Sequence, residues 1–452
     1  MRLRKTITTI VATAILLAGW QLCAVIANQP ELIPSLPRLV RTLCEWLVSG
    51  SFYQSVGATI FRGILGMSIS FVCAIGMAGL FARFEWVYEL FRPLLAIMRS
   101  IPVISFILLA LIFLNPESIP LMIAFLTMFP LLTENLTRGI LDLRPGLSIM
   151  ARQFHIKRSN VLFQIIYPQL KPFLYSGLAS AAGFGWRAII MGEVLSQCAF
   201  GIGSEMKRAQ NFIAVPELLA WTIVAVFISF FFDKGISKVA DITPKISFAN
   251  EDQTIPTPTL SVLDTKDISY QYGIQHFSHS FQKGIIYGIS APSGKGKTTL
   301  LNLIGGILLP TEGEIHPTRH FGIATIFQQP QLLPYLTAEE NIILPLSSFL
   351  TEEKARRIAQ KHLQEMEMEP FGNRYPKELS YGQQQRIAIA RALAYPSPLL
   401  LMDEPFKGLD EALSHRIIER IREKQMKEER IILFTSHNPD EIRLLADEVI
   451  YL

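Results

Sequence analysis

Cysteine and charge are both scarce. Four cysteines occur in 452 residues (Cys23, Cys44, Cys73 and Cys198). No two of them form a CxxC pair, which excludes a disulfide framework or a cysteine-rich zinc site. All four fall in the apolar first half and read as buried thiols. Charged residues make up only 18% of the chain, and the net charge is +4. So small a basic excess over this length gives nucleic acid no surface to bind. Apolar residues fill the place of charge: 50% of the chain is hydrophobic and the mean hydropathy is +0.32. A chain this long should hold more than one domain.

The apolar residues gather in runs near the length that crosses about 30 Å of hydrocarbon. Residues 1–5 (MRLRK) are basic and 7–26 almost uninterruptedly apolar, which fits a membrane helix with its N-terminus inside. A secretory signal peptide is the rival reading. Residues 31–53 are amphipathic, carry Pro34 and Pro37, and read as an interfacial helix. Further spans are expected at 63–82, 94–114 (kinked near Pro102), 120–136, 173–195 and 218–232, giving six. Between the fourth and fifth lie Arg138, Arg144, Arg152, Lys157, Arg158 and Lys171 against Asp142 alone. That excess marks the loop as cytoplasmic, and with six spans the chain after residue 232 is cytoplasmic too. Arg187 and Glu193 sit inside the fifth span, where ionisable groups are functional candidates. An interhelical ion pair is the alternative.

The loop reads LRPGLSIMARQFHIKRSNVLFQIIYPQLKP from Leu143. It resembles the cytoplasmic EAA loop of binding-protein-dependent ABC importers. Ala151, Ile165 and Pro168 fall on that pattern, whereas Ile149, Met150 and His155 replace its Glu, first Ala and Gly. Loss of the Gly should change the turn between the loop helices. LIPSLP (32–37), RSIP (99–102), Gly185-Trp186, Gly192-Glu193 and Gly201-Ile202-Gly203 are similar to words in nitrate, sulfonate and taurine importer permeases. This resemblance covers residues 32–241.

Residues 241–259 are polar, contain Pro244, Pro256 and Pro258, and read as a linker. From residue 260 an α/β pattern begins. Its centre is IIYGISAPSGKGKTT (285–299): an apolar strand, a glycine loop, Lys297-Thr298 and an apolar helix. Such a loop cradles a nucleotide phosphate chain with backbone N–H groups. Lys297 faces the β- and γ-phosphates, and Thr298 can hold Mg²⁺. Ala291 replaces the first glycine of the strict pattern. Its methyl is tolerable at negative φ and strained at positive φ.

The later motifs resemble the ABC ATPase domain over 260–452. LSYGQQQR (379–386) is similar to the signature LSGGQQQR, departing at Tyr381. PLLLM (398–402) reads as a buried strand ending in Asp403-Glu404. Gly408-Leu409-Asp410 resembles the D-loop, usually S-A-L-D. His437 follows the apolar strand 430–436, and Phe327-Gln328 resembles the Q-loop. By this resemblance Glu404, His437 and Gln328 are catalytic, and Thr298, Gln328 and Asp403 hold the metal. Tyr272 (with Tyr270 as rival), Ser293, Gly294, Lys295, Gly296, Lys297, Thr298 and Thr299 bind ATP. Ser380, Gly382, Gln383 and Asp410 complete the site of an opposing subunit. Thr337–Glu340 is a capping box, and 352–368 is amphipathic, as a helical subdomain requires.

The expected architecture is an all-α transmembrane domain of type I importer kind (1–240), a linker (241–259) and an α/β P-loop domain of ABC type with a helical subdomain (260–452). The resemblance implies ATP- and Mg²⁺-dependent uptake of a small solute across the cytoplasmic membrane. The implied partners are a second copy of the chain or a related half-transporter, and an extracytoplasmic solute-binding protein. Nitrate, sulfonates, taurine and small heterocyclic nutrients all suit it. An exporter half-transporter is the alternative, although FGNRYPKE (371–378) lacks the exporter word T-E-V-G-E-R-G. An ATPase acting on a membrane partner is a third reading, and it calls for large extracytoplasmic domains that the sequence does not contain.

Overall fold

A computed structural model describes residues 2–240, 244–253, 260–271, 273–292, 294–317 and 322–452; within residues 2–10 only Ile7 and Thr8 have described side chains. The chain divides into two units, Met1–Leu143 with Gln169–Thr243, and Arg144–Pro168 with Pro244–Leu452. Each is taken in turn.

The first unit is helical: α1 (Arg2–Ala27), α2 (Leu36–Trp46), α3 (Gly50–Arg83), α4 (Glu85–Ser100), α5 (Val103–Phe113) and α6 (Ile119–Leu141). After α7 (Pro145–Gln153), which belongs to the second unit, α8 (Arg158–Ser196), α9 (Ile202–Asn211) and α10 (Val215–Ala240) complete it. Among the described residues four helices are long and apolar enough to cross a membrane, and five if a bent pair counts as one span. Six were expected. The span expected at 94–114 is the bent pair: α4 and α5 meet at 94°. Pro102 caps α5 and has no N–H to continue a ladder from α4. The described apolar part of the first expected span is the shorter stretch Val11–Ala27. The interfacial helix is confined to α2, because α3 begins at Gly50.

Small side chains explain how α3 packs on α6. Gly63, Gly66, Ser70, Ala74 and Ala78 are buried along one face of α3. A Cβ at Gly66 would stand 2.7 Å from that of Ala124. Close backbone approach of this kind holds helices together where lipid removes the hydrophobic driving force. In α8 the turn at Val161–Ile166 widens into a π-helix just before Pro168, which has no N–H to donate.

The second unit carries a five-stranded parallel sheet, order β5-β6-β7-β3-β8, and a three-stranded antiparallel sheet, order β2-β1-β4. The strands are β1 (Val262–Tyr270), β2 (Ile274–Gln282), β3 (Ile286–Ser290), β4 (Glu312–His316), β5 (Ala324–Ile326), β6 (Leu399–Asp403), β7 (Ile431–Thr435) and β8 (Glu448–Tyr451). Strands β6 and β7 are buried at every residue, which is why they read as unbroken apolar runs. The helices are α11 (Lys297–Ile304), α12 (Ala338–Leu346), α13 (Glu352–Glu365), α14 (Tyr381–Ala394), α15 (Glu411–Glu428) and α16 (Pro439–Leu445). Thr337 and Glu340 form the expected capping box of α12. Strands β3, β6 and β7 end side by side, so residues 291, 404 and 436 open onto one edge, where open parallel sheets place their ligands.

Within the expected membrane domain of residues 1–240, the loop Arg144–Pro168 packs with the second unit. Leu147, Met150, Ala151, Phe154 and Ile165 share one apolar core with Ile326, Leu346 and Tyr395.

Candidate active site

The loop between β3 and α11 turns on two glycines, Gly294 at φ +81° and Gly296 at φ +93°. Gly296 also passes close to β1's end, since a Cβ there would meet the Gly273 carbonyl at 2.6 Å. Both glycines are therefore required by geometry. Ala291 is not among the described residues with positive φ, so its methyl carries no backbone strain. Lys297 Nζ donates to the Ala291 carbonyl oxygen over 2.7 Å. Lys295 is exposed, and Thr299 is half-buried at the start of α11. Tyr272 and Ser293 lie outside the described residues. The rival aromatic, Tyr270, is half-buried at the end of β1.

Asp403 ends β6 and faces α11. Thr298 donates to its Oδ2 over 2.9 Å and Thr435 to its Oδ1 over 2.8 Å. Burial pushes the Asp403 carboxyl above its usual range, and the Thr435 and Thr298 hydroxyls only partly offset that. A buried acid raised in this way, with a threonine hydroxyl beside it, suits a divalent cation that would restore its charge. Thr298 and Asp403, the expected Mg²⁺ ligands, lie side by side.

Glu404 follows at φ +48°, a left-handed conformation held by its backbone N–H donating to Thr435 Oγ1 over 3.0 Å. Non-glycine residues in this region carry strain and cluster at working sites. Three groups converge on its carboxylate. His437 Nε2 stands 3.1 Å from Oε1, Gln328 Nε2 donates to Oε1 over 3.3 Å, and Lys407 Nζ stands 3.2 Å from Oε2. Burial works to raise this carboxyl, but Lys407, His437 and Gln328 prevail and hold it below the usual range. A carboxylate kept ionised can accept a proton from water. The three expected catalytic residues thus meet at one carboxylate. Lys407 was not foreseen, although it stands where D-loop words carry serine. Thr435, which orients both acids, looked in the sequence like any strand-end residue.

The signature residues cap α14. Ser380 Oγ accepts from the Gln383 N–H over 3.3 Å, and Gln383 Oε1 accepts from the Ser380 N–H over 2.9 Å. Asp410 caps α15 by accepting from the Leu413 N–H over 2.9 Å. Gly382 lies against the loop before α15, because a Cβ there would meet the Gly408 carbonyl at 2.6 Å.

The segment 144–168 reaches the same region. Gln331 presses its side-chain amide onto Gly146, where a Cβ would stand 2.5 Å away. Gln153 donates to the Gly305 carbonyl over 2.8 Å, at the far end of α11. Arg391 on α14 is almost wholly buried, with no carboxylate partner among the described residues. It donates to the carbonyls of Gln331 and Pro330 and lies 5.4 Å over the Phe154 ring. Burial pulls its guanidinium down to about 9. His155, standing where the resembling loops carry Gly, adopts φ +47°. The turn between the loop helices is therefore left-handed at a residue that carries steric strain there. No signal in the sequence marked Arg391, which sits inside an ordinary helical pattern.

In the membrane unit, Glu193 is fully buried and bonds to Arg62 (2.8 Å), Thr59 (2.9 Å) and the Gly203 N–H (3.0 Å). Arg62 also bridges to Glu117 over 2.6 Å. Gly201 is close to this carboxylate, since a Cβ there would meet Glu193 Cδ at 2.6 Å. The two words Gly192-Glu193 and Gly201-Ile202-Gly203 thus have one explanation, a carboxylate wrapped by a tight loop. Arg187 has no part in it and is exposed on α8. Arg62 was missed because it directly precedes the expected start of the second span.

Two family models match the chain. The binding-protein-dependent transport system inner membrane component matches residues 66–233, and the ABC transporter model matches 274–407. Among curated proteins, an uncharacterized ABC transporter ATP-binding protein of Methanocaldococcus jannaschii is 34% identical over 201 residues, covering 40% of this chain and 85% of the relative. An Fe(3+) ions import ATP-binding protein of Rhizobium etli is 35% identical over 189 residues, covering 40% of this chain and 54% of the relative. A glucose import ATP-binding protein of Saccharolobus solfataricus is 35% identical over 185 residues, covering 38% and 52%. The chain spans about half the length of these two import proteins. A solved dimeric ATP-binding cassette in a post-hydrolysis state with ADP and Pi is 32% identical, covers 42% of this chain and 94% of its own, and superposes with a TM-score of 0.40.

Proposed function

This chain belongs to the ABC transporter family, with a binding-protein-dependent permease domain and an ABC ATPase domain in one polypeptide, and from that premise we propose that it hydrolyses ATP to take up a small solute across the cytoplasmic membrane. The solute is of the nitrate, sulfonate, taurine or small heterocyclic kind. The observation that carries the reading is the segment 144–168. It resembles an importer's EAA loop and is built into the ATPase core beside the Gln328–Gln331 stretch.

Each residue has a part in this proposal. The N–H groups of 294–297 and Lys297 hold the phosphates, and Tyr272 stacks on adenine. Ser293, Lys295 and Thr299 line the same cradle. Mg²⁺ on Thr298 and Asp403, with Gln328 nearby, would neutralise charge on the phosphate oxygens. Glu404 accepts the proton of the attacking water. His437 and Gln328 keep that carboxylate aimed. Ser380, Gly382, Gln383 and Asp410 face the nucleotide of an opposing subunit, so the working form is a homodimer or a pair with a related chain. The basic loop places the N-terminus and the ATPase in the cytoplasm, and a solute-binding protein delivers cargo outside.

The test is ATP turnover by the full chain in liposomes. A candidate binding protein charged with taurine, nitrate or an alkanesulfonate should raise the rate several-fold over the uncharged protein. Turnover indifferent to every binding protein but raised by apolar compounds added to the bilayer would instead favour export.

A further inference from the structure

The signature word departs from its usual form at Tyr381, and the D-loop word departs at Lys407 and Gly408. In the structure these departures touch. The Tyr381 hydroxyl donates to the Gln328 carbonyl over 2.8 Å. Its ring fills the space beside Gly408, where a Cβ would stand 2.8 Å from Tyr381 Cδ1. Gly408 is at φ +79°, so glycine suits the place twice over. Gln328 donates to Glu404, and Glu404 is paired with Lys407, the neighbour of Gly408. A closed ring results: signature tyrosine, Q-loop, carboxylate, D-loop, and back to the tyrosine. A glycine at position 381 could make neither the hydroxyl bond nor the ring contact.

We propose that Tyr381 is a positioning residue that holds Gln328 and the Lys407–Gly408 turn of its own chain beside Glu404, and so limits basal turnover. This rests on the ATPase reading above. In this ring Gln328 and His437 meet the Glu404 carboxylate at Oε1, while Lys407 takes up capacity at Oε2 that a water could use. The face of α14 meant for an opposing subunit is meanwhile tied down to its own chain. Removing the tie lets the carboxylate and the signature helix reach their working positions more often.

The experiment uses the full chain in liposomes with Mg-ATP. Tyr381→Phe keeps the ring and loses only the hydroxyl. One hydrogen bond of ordinary strength corresponds to a rate factor of about two to ten. Basal kcat should therefore rise about two- to tenfold with KM for ATP unchanged, since no residue of the phosphate cradle is altered. Lys407→Met, which frees Glu404 from the other side of the ring, should also raise kcat. A merely structural tyrosine would lower kcat on removal. Unchanged or slower basal turnover in Tyr381→Phe overturns the proposal while leaving the ATPase reading intact. Absence of ATP turnover in the wild-type chain overturns the ATPase reading itself, and near-normal turnover in Glu404→Gln overturns the assignment of Glu404 as the base.

Discussion

Position 291 shows how a departure from a motif can be neutral. The strict phosphate-loop pattern asks for glycine there, and the chain has alanine. With a negative backbone angle, the methyl meets no conformational barrier, and its carbonyl serves as the resting partner of Lys297. Ala291→Gly should therefore leave ATP affinity unchanged within about twofold, as equilibrium binding of a fluorescent ATP analogue would read. A marked tightening would mean the loop is strained after all. The phosphate-cradle residues, the acids and His437 were legible because their chemistry fixes their order along the chain. Thr435 and Arg391 were not, because each acts through a partner far along the chain, and Lys407, three residues from Glu404, was not because only the fold of the turn brings the two together. Glu193 was legible as a charge in a span. Its partner was not, since nothing in the sequence says that Arg62 on α3 faces it and Arg187, six residues away on the same helix, does not.

Among the elements, the turn between α7 and α8 carries backbone strain. His155 holds φ +47° there, in a region that costs a typical side chain on the order of 1–2 kcal/mol. His155→Gly should keep or slightly raise stability. His155→Val should lose about 1–2 kcal/mol, because β-branching suits that region worst. Thermal unfolding of the detergent-solubilised chain, followed for the ATPase unit, orders the three; valine equal to histidine would refute the argument. The helices of the membrane unit were legible by length and hydropathy, apart from the span that is bent by 94° at Pro102. A proline within an apolar run told of a break but not of its angle, which is set by what each half packs against. The strands of the parallel sheet were plain, because burial on both faces leaves no polar residue to blur them.

At the scale of the whole molecule, acid should weaken the ATPase unit through a histidine far from the nucleotide. His362 is buried on α13, with Lys424 Nζ 3.2 Å from its Nε2 and the Glu365 carboxylate 2.6 Å from its Nδ1. Burial, and then the Lys424 charge, push its pKa down to about 4. An unfolded histidine takes its proton near pH 6.5, whereas the folded one refuses it until about 4. Stability is therefore full above about pH 6.5 and drains as pH falls toward 4, by on the order of 1–3 kcal/mol. His362→Gln should flatten the fall between pH 7 and 5 in a thermal melt; an equal fall in the variant would exclude His362 as the cause.

One fact of chain order bears on inheritance. The second compact unit is encoded in two separated pieces, 144–168 and 244–452, with membrane-unit sequence between them. Phe154 stacks edge-on against Tyr395 at 5.1 Å, and Leu147, Met150 and Ile165 fill out the same apolar mass. A gene cut at residue 244 would separate neither a complete engine nor a complete channel. Exchange of this ATPase for another by recombination at the linker would have to find a new lodging for Phe154, so the two halves are bound to diverge together.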